Sequence, residues 1–310
     1  MASLISDNEK LIDQQIQSER ESDFDSNSAY GEVLDNSIQA KAQNIKINFK
    51  TNIKRRIEYL ESIAFGDDGS GMSPETVENC LTQGFSTRYN DRSGIGRFGV
   101  GMTKAFMNQC CICEVYSKEN GKDWYYTIVN ISPENKNKNE IPPSIKKDPP
   151  SELEKLAGKK SGTIIIWSKH DRQDGKPADL IENFKLWAGR SFRKFIFKGI
   201  KIIVDNEEIK SIDPTFMNVK TSKFPEDKKG ELVDSVKISW PVDPDKRKSD
   251  DEKEDIIVTI TIAPKELREG RGDGKSNPNA EKFKKIQKDR NMGEDWNGVS
   301  IMRNDREVFF

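Results

Sequence analysis

Histidine and cysteine are scarce in this 310-residue sequence, which contains one of the former and four of the latter. The lone His170 excludes histidine-rich metal sites, and because no G-x-S-x-G elbow accompanies it, a Ser-His-Asp triad is not favoured. Three cysteines lie in the run CCIC at 110–113, where adjacent side chains of a strand point to opposite faces and cannot pair easily. No second C-x-x-C accompanies this run, so zinc is not expected. The prediction is reduced, buried thiols in a cytoplasmic or nuclear protein.

Long apolar runs are also missing. No stretch approaches the roughly 20 apolar residues that cross a bilayer, and the start, MASLISDNEK, lacks the basic and apolar regions of a secretory signal. We therefore expect neither secretion nor a membrane partner. The charges of the 51 basic and 52 acidic residues nearly cancel, so the chain as a whole offers no electrostatic attraction to nucleic acid. A local basic patch could still attract nucleic acid.

Helical and strand patterns alternate along the chain and indicate an α/β core followed by a second region. Ser28 is expected to cap a helix that runs to about Ala42, and another helix is expected at 178–196. The polar, proline-containing segment 131–160 is typical of a mobile insertion, and a domain boundary is expected near 200–215. Strands are predicted at 44–50, 60–66, 110–117, 122–130, 162–168, 234–242 and 255–263.

The first motif, YGEVLDNSIQA at 30–40, carries four polar side chains at helical spacing. They stand at positions i, i+3, i+4 and i+7 of one helix face and are Glu32, Asp35, Asn36 and Gln39. Taken alone, such a face is most simply a solvated one. The functional alternative is specific, because the carboxylate of Glu32 would orient water while the amide oxygen of Asn36, one turn later, would hold Mg²⁺.

The second motif is a strand followed by a glycine-rich turn, IAFGDDGSGM at 63–72. Asp67, at the end of the strand, could accept a hydrogen bond from an exocyclic amine, as in an adenine pocket. Gly69 and Gly71 permit positive φ angles and close backbone approach. A simple strand-ending turn is the alternative interpretation.

Glycines dominate the third motif, GFSTR at 84–88 followed by SGIGRFGVGMTKAF at 93–106. Free backbone N–H groups and the helix that begins where the glycines end would form an anion site. A dinucleotide-binding fold is disfavoured because RYNDRS, and not an apolar strand, precedes the glycines. A protein kinase is disfavoured because H-R-D and D-F-G are absent. The fourth motif, SGT at 161–163, opens an apolar strand.

In this order, the four motifs resemble those of the GHKL ATPases, the family of DNA gyrase B, heat-shock chaperones, histidine kinases and MutL. The segment GFSTR before GIGRFGVGM is most similar to the lid of MORC-type and heat-shock-chaperone-type members. The resemblance implies a Bergerat-type two-layer α/β sandwich, with helices covering a mixed sheet, followed by part of a transducer-like α+β domain. The implied divisions are an amphipathic arm at 1–25, the ATPase domain at 26–205 and the partial transducer-like domain at 206–310.

The resemblance also implies roles for the matching residues, with ATP and Mg²⁺ as cofactors. Glu32 would be the general base and Asn36 the Mg²⁺ ligand. Asp67 would accept the adenine amino group, and Thr163 would support it through water. The full nucleotide-binding set implied by the resemblance is Asn36, Asp67, Gly69, Gly71, Met72, Ser86, Thr87, Arg88, Gly94, Gly96, Arg97, Phe98, Gly99, Val100, Gly101, Lys104 and Thr163.

This chain departs from the family pattern at several positions. Gln39 and Asp68 stand where the family often has Asp and Asn. Thr103 stands where Lys is common, and Lys104 follows one position later. Arg88 is expected to replace a lysine that contacts phosphate.

The implied function is Mg²⁺-dependent ATP hydrolysis in which lid closure drives an ATP-dependent homodimer, a clamp that could act on DNA. A heat-shock-type chaperone ATPase and an ATP-sensing interaction module without significant turnover are the alternatives. The basic stretch 185–201 is the local candidate for DNA contact, and its basic residues are Lys185, Arg190, Arg193, Lys194, Lys198 and Lys201. In the other interpretation of this stretch, its apolar face packs on the sheet and its basic side chains face water. The arm at 1–25 could pack across the dimer.

Overall fold

The structure is a computed structural model, and it describes residues 14, 16–18, 20–21, 24–82, 101–135, 140–173, 175–241, 253–264, 285, 288–289 and 299–309. These residues form two compact units. The chain up to Ile209, together with Ser300–Phe309, makes up the first unit, and Lys210–Val299 makes up the second. Within the described part of the chain, no helix is both long enough and apolar enough to span a membrane.

The helices and strands are numbered here along the chain. The helices are α1 (Ser26–Gln39), α2 (Pro74–Asn79), α3 (Gly101–Gln109), α4 (Ser151–Glu154), α5 (Pro177–Ser191) and α6 (Arg193–Phe197). The strands are β1 (Asn44–Lys54), β2 (Ile57–Asp67), β3 (Cys110–Lys118), β4 (Tyr125–Asn130), β5 (Ile145–Lys146), β6 (Gly162–His170), β7 (Lys201–Val204), β8 (Glu207–Glu208), β9 (Glu231–Pro241), β10 (Lys253–Ile262), β11 (Ile301–Arg303) and β12 (Arg306–Phe309). The predicted strands are confirmed with ends that differ by a few residues, whereas the helix predicted at 178–196 is divided into two at Phe192.

An eight-stranded sheet organises the first unit, in the order β5-β4-β3-β6-β2-β1-β7-β8. Strands β1 and β7 are parallel, and the other neighbouring pairs are antiparallel, so the sheet is mixed. The register of β2 against β6 places Asp67 beside Thr163. Two residues that lie far apart in the sequence thus meet at one end of the sheet.

The two faces of this sheet bury different side chains. On β6, Ile165 and Trp167 belong to the larger core, whereas Ile164 and Ile166 belong to a smaller one. This division follows from the two-residue period of a strand. Helices α1, α3, α5 and α6 contribute their apolar side chains to the larger core. The predicted fold class, an α/β sandwich in which helices cover a mixed sheet, is therefore confirmed.

Helix α1 begins earlier than the sequence pattern predicted. The carboxylate of Asp25 caps it and accepts the N–H of Ser28 at 2.6 Å. An aspartate also suits the positive end of the helix dipole. The prediction that Ser28 is the capping residue is therefore wrong, because Ser28 lies in the first turn and supplies the donor.

The segment 131–160, which was expected to be a mobile insertion, contacts the core along much of its described part. Strand β5 pairs with β4 at the edge of the sheet. Leu156 is buried against Gly66 of β2, where an added Cβ would lie 2.4 Å from the Cβ of Leu156. Gly158 donates its N–H to the carbonyl of Asp67 at 3.2 Å. Ile131, at the other end of the segment, is buried as well. The mobility of the segment as a whole stays a prediction.

The second unit contains the antiparallel pair β9–β10. A turn-rich segment precedes this pair, and in it Asp213 accepts the N–H groups of Thr215 and Asn218 at 3.0 and 3.1 Å. The hairpin β11–β12 was expected to belong to the same domain, at 206–310. It belongs instead to the first unit.

Candidate functional site

Helix α1 presents Glu32 and Asn36 one turn apart, with Glu32 half-buried and Asn36 exposed. The first residue of α3 lies directly against this carboxylate, since a Cβ on Gly101 would be 2.0 Å from Oε2 of Glu32. A side chain at position 101 would therefore displace the Glu32 carboxylate from this position. Burial raises the pKa of Glu32, and the positive charge of Arg306 opposes that rise. The result is a poorly hydrated carboxylate beside the end of the glycine-rich motif.

Asp35 does not lie on a solvated face, as the isolated motif suggested. Its side chain is buried, and its Oδ1 accepts a hydrogen bond from Nε of Arg306 at 3.2 Å. The guanidinium carbon of Arg306 lies 4.7 Å from the ring centre of Trp187 and 4.1 Å from that of Phe192. Burial raises the pKa of Asp35 to about 7, although Arg306 acts in the opposite direction. Sequence reasoning missed Arg306, because 271 residues separate it from Asp35 and no local pattern joins them.

Asp67 is buried where β2 ends. Its Oδ2 accepts the hydroxyl of Ser37 at 3.1 Å, and its Oδ1 accepts the N–H of Gly69 at 2.9 Å. Burial raises the pKa of Asp67 to about 6, and the hydrogen bonds from Gly69 and Ser37 oppose this rise. Ser37 belongs to the same helix as Glu32 and Asn36. Helix α1 therefore connects the Asp67 carboxylate to the two polar side chains of the first motif.

Ser117 links two predicted site residues, Met72 and Thr163, and was itself missed by sequence reasoning. Its hydroxyl lies 2.9 Å from that of Thr163, and its Oγ accepts the N–H of Met72 at 2.9 Å. Because Thr163 pairs with Asp67 between neighbouring strands, this network borders the Asp67 carboxylate. The only available signal was a serine near the end of an otherwise apolar strand, which is too common to single out.

The glycines of D-G-S-G-M allow close contacts within the chain. Gly71 has a φ of 70°, and a Cβ there would lie 1.8 Å from the carbonyl oxygen of Lys118. Gly69 lies against Ala40, where an added Cβ would be 2.8 Å from the Ala40 carbonyl oxygen. Both glycines are therefore required by the path of the loop around Asp67.

Asp68, where the family often has Asn, has a structural role. It accepts the backbone N–H groups of Gln43 and Asn44 at 2.7 and 2.8 Å, and the side-chain amide of Asn44 at 2.6 Å. Burial acts against ionisation, but these hydrogen bonds lower the pKa of Asp68 overall. An ionised carboxylate accepts three donors here, which ties the D-G-S-G-M loop to the beginning of β1.

Part of the predicted nucleotide-binding set lies outside the described residues. These positions are Ser86, Thr87, Arg88, Gly94, Gly96, Arg97, Phe98, Gly99 and Val100. Lys104 lies on α3 and is half-buried. Thr103, where a lysine is common in the family, is buried and donates its hydroxyl to the carbonyl of Leu81 at 3.3 Å. Thr103 is therefore part of the packing of α3.

The basic stretch 185–201 does not present its arginines to solvent. Arg190 and Arg193 are 6% and 3% exposed, and both contact Oε2 of Glu307, at 3.0 and 2.8 Å. These two arginines therefore do not face water, whereas Lys194, Lys198 and Lys201 of the same stretch are exposed. Contact with DNA through 185–201 stays a prediction. Two buried guanidiniums are held by one buried carboxylate of β12.

The residues of α1 suit a magnesium ion that is itself bound to a ligand. Mg²⁺ keeps several waters and takes one or two protein oxygens, and the exposed amide of Asn36 can supply one. In the part of the chain that the structure describes, no group of three or more acidic, histidine or cysteine side chains could hold a metal alone. The donor set therefore fits a cation that arrives with phosphates.

Comparisons with known proteins agree with this geometry. Residues 24–163 match the family described as histidine kinase-, DNA gyrase B-, and HSP90-like ATPase. Protein MICRORCHIDIA 4 of Arabidopsis thaliana is 28% identical over 95 residues, which are 31% of this chain and 12% of the relative. Protein MICRORCHIDIA 7 of the same plant is 30% identical over 100 residues, 31% of this chain and 13% of the relative. The matches thus span only about an eighth of these relatives' length.

Among solved structures, the ATPase and transducer domains of DNA topoisomerase II from Balamuthia mandrillaris align with a TM-score of 0.43 and 14% identity. This alignment covers 60% of this chain and 48% of the other. The family match begins before α1 and ends at Thr163, so it contains all four motifs found in the sequence. Residues 24–163 of this chain therefore match the histidine kinase-, DNA gyrase B- and HSP90-like ATPase family, also called GHKL, and about a third of the chain is similar to microrchidia proteins.

Proposed function

We propose that the first unit binds ATP with Mg²⁺ and hydrolyses it. One observation carries the proposal: helix α1 presents Glu32 and Asn36 one turn apart, and the same helix donates the Ser37 hydroxyl to Asp67. Five residues separate Glu32 from Ser37, which is about 7.5 Å along a helix. A water-activating carboxylate, a cation ligand and an amine acceptor would thus lie within reach of one nucleotide.

In this proposal the residues around Asp67 recognise the adenine base. The carboxylate of Asp67 accepts the adenine amino group, Thr163 assists through water, and Met72 lines the pocket. Asp67 accepts donors from its own chain that are neutral, so a further neutral donor can join them without displacing a salt bridge. Gly69 and Gly71 shape the loop beside it. These residues around Asp67 would give the protein affinity for adenine nucleotides.

The phosphates would lie between α1 and the glycine-rich motif. Bound Mg²⁺ supplies positive charge to the phosphate oxygens, and the amide oxygen of Asn36 would be its protein ligand. The N–H groups of the lid would donate to the same oxygens, and that lid comprises the proposed residues Ser86, Thr87, Arg88, Gly94, Gly96, Arg97, Phe98, Gly99, Val100, Gly101 and Lys104. Phosphoryl transfer needs this positioning and no covalent protein residue.

Glu32 would act as the general base on the attacking water. Its burial raises its pKa, and a carboxylate whose pKa rises toward neutrality accepts a proton more readily. The absence of a side chain at Gly101 leaves space for this carboxylate at the beginning of α3. Glu32 thus holds and moves one proton, while binding of the nucleotide depends on other residues.

The replacement Glu32→Gln tests the proposal. Loss of the base should reduce phosphate release at least about 100-fold, whereas the affinity for ADP, measured by calorimetry with Mg²⁺, should change little. Glu58→Gln is the matched control, since Glu58 is an exposed glutamate on β2. Phosphate release by Glu32→Gln at the rate of the unmodified protein would contradict the proposal, as would a failure of the unmodified protein to bind ADP or ATP.

The finer function we propose is a MORC-like clamp, in which ATP binding closes the lid and brings two copies together. Light scattering with a non-hydrolysable ATP analogue tests this idea, and a mass that stays that of one chain would contradict it. An ATP-sensing module without turnover, the second candidate, would bind nucleotide but release no phosphate even without any mutation. Action on DNA is proposed without Arg190 and Arg193, because both are buried.

A further inference from the structure

The guanidinium of Arg306 occupies a space that the surrounding residues are shaped to provide. A Cβ on Gly31 would lie 2.8 Å from Nη2 of Arg306 and 2.5 Å from the ring of Trp187, so α1 makes room for both. The faces of Trp187 and Phe192 lie against the cation. Nη1 donates to the carbonyl of Glu307 at 2.6 Å. Arg306 is only 7% exposed, and these contacts on several sides hold its charge in one place.

Arg306 also reduces the electrostatic repulsion between two acidic side chains of α1. Glu32 and Asp35 lie three residues apart on this helix, Glu32 is half-buried and Asp35 is buried, and the two carboxylates repel each other when both are ionised. Two neighbouring buried carboxylates favour uptake of a proton by one of them. Arg306 bonds Asp35 directly through Nε, and its charge acts on Glu32 as well. One guanidinium thus serves two acidic groups.

Two further arginines contact the residue that follows Arg306 in the chain. Arg190 of α5 and Arg193 of α6 both contact the carboxylate of Glu307. On α3, the backbone of Gly101 lies against Glu32. Arg306 itself contacts Asp35 directly, and its charge also acts on Glu32.

We propose that Arg306 is a positioning residue of the ATPase site, which holds Asp35 and places a fixed positive charge beside the catalytic carboxylate of Glu32. The C-terminal hairpin β11–β12 then completes a site whose other residues lie between 24 and 163. This inference rests on the proposed role of Glu32. It adds a residue that lies outside the segment matched to the family.

The replacement Arg306→Met, in the full chain, tests the inference through the pH dependence of hydrolysis. Without the guanidinium, the ionisation midpoint of Glu32 should rise. The acidic limb of the pH profile of the turnover number should therefore move to higher pH, while the affinity for ADP stays within about twofold because no nucleotide contact is lost. Arg303→Met is the matched control, since Arg303 is exposed on β11 and should leave rate and midpoint unchanged.

A second pair of variants separates positioning from mere stability. Arg306→Lys keeps the charge but loses the planar fork, so its pH midpoint should lie between those of the original protein and Arg306→Met. The double replacement Asp35→Asn with Arg306→Met removes both charges, which should return the midpoint of Glu32 toward its original value. A lower rate at every pH with no shift of the midpoint, and no return in the double variant, would overturn the inference.

A readout without turnover keeps the inference distinct from the proposed function. Carbon NMR of protein labelled on glutamate carboxyls reports the titration of Glu32 directly, with Glu32→Gln to assign its signal. An upward shift of that titration in Arg306→Met supports the inference even if the unmodified protein hydrolyses no ATP, which would refute only the proposed function. An unchanged titration overturns the inference while the proposed function stands.

Discussion

Two buried aspartates, Asp35 on helix α1 and Asp67 beside this helix, are stabilised in opposite ways. The neutral cluster is defined as Asp67 with Ser37 and Gly69, and the charged cluster consists of Asp35, Arg190, Arg193, Arg306 and Glu307. Asp67 accepts a hydroxyl and an amide from residues 30 and 2 positions away in the chain. Asp35 depends on a guanidinium that lies 271 positions away.

The difference shows how one helix can serve two tasks. Neutral donors leave the carboxylate of Asp67 with capacity for a ligand's amine, because no opposing charge occupies it. A guanidinium instead fixes charge and geometry, and removing one partner of such a pair leaves a buried charge poorly compensated. The neutral cluster is thus held by hydrogen bonds from uncharged groups, and the charged cluster is held by ion pairs.

The largest expected effect concerns the charged cluster. Glu307→Ala removes the carboxylate that Arg190 and Arg193 both contact, so the free energy of unfolding should fall by about 3–5 kcal/mol in urea denaturation. Asp305→Ala is the control, since its partners Lys194 and Lys198 are partly exposed and surface pairs contribute about 0–1 kcal/mol. If both variants lost the same free energy of unfolding, the buried ion pairs would contribute no more to stability than the exposed ones, contrary to this prediction.

A smaller effect is expected from the titration of Asp67. Its folded pKa of about 6 lies above the value of about 3.9 for an unfolded aspartate, so the folded state binds the proton more tightly. The stability that this proton contributes is fully present below about pH 4 and is lost as the pH rises through about 6.

Denaturation at two pH values checks this expectation. Between pH 5 and pH 7.5 the free energy of unfolding of the original protein should fall by about 1 kcal/mol relative to Asp67→Asn, which cannot titrate at this position. The experiment is done without nucleotide, because a bound adenine would change the titration. A difference between the two proteins that does not vary with pH would contradict the assignment of a raised pKa to Asp67.

The smallest effect is expected when one neutral donor is removed. Ser37→Ala deletes the hydroxyl that reaches Asp67, and a neutral hydrogen bond contributes about 1 kcal/mol to stability. The affinity for ADP, measured by calorimetry, should fall modestly because Asp67 is less firmly oriented. Ser28→Ala on the same helix is the control and should leave that affinity unchanged. If Ser37→Ala lowered the free energy of unfolding as much as Glu307→Ala is expected to, the contrast between the two clusters would be contradicted.

The four motifs allowed much of the fold and part of the candidate site to be predicted. The strand positions followed from apolar runs bounded by turns, and Asp67 and Thr163 were selected from motifs that the sheet register then placed side by side. Ser117 could not be selected in this way, because its position between Met72 and Thr163 arises from strand pairing. The buried state of Arg190 was also hidden, since a basic helix face looks the same whether water or a carboxylate faces it.

By itself, the sequence determined the elements and the local chemistry: the spacing of Glu32 and Asn36 on a helix, the acid at the end of β2 and the glycines around it. Short-range patterns suffice for these features because helix and strand periods act over a few residues. Only the tertiary structure decided that Arg306 lies beside Asp35, and that Glu307 receives two arginines. Such contacts depend on long-range packing and on burial, which strengthens charge interactions by excluding water, and neither is present in any local stretch of sequence.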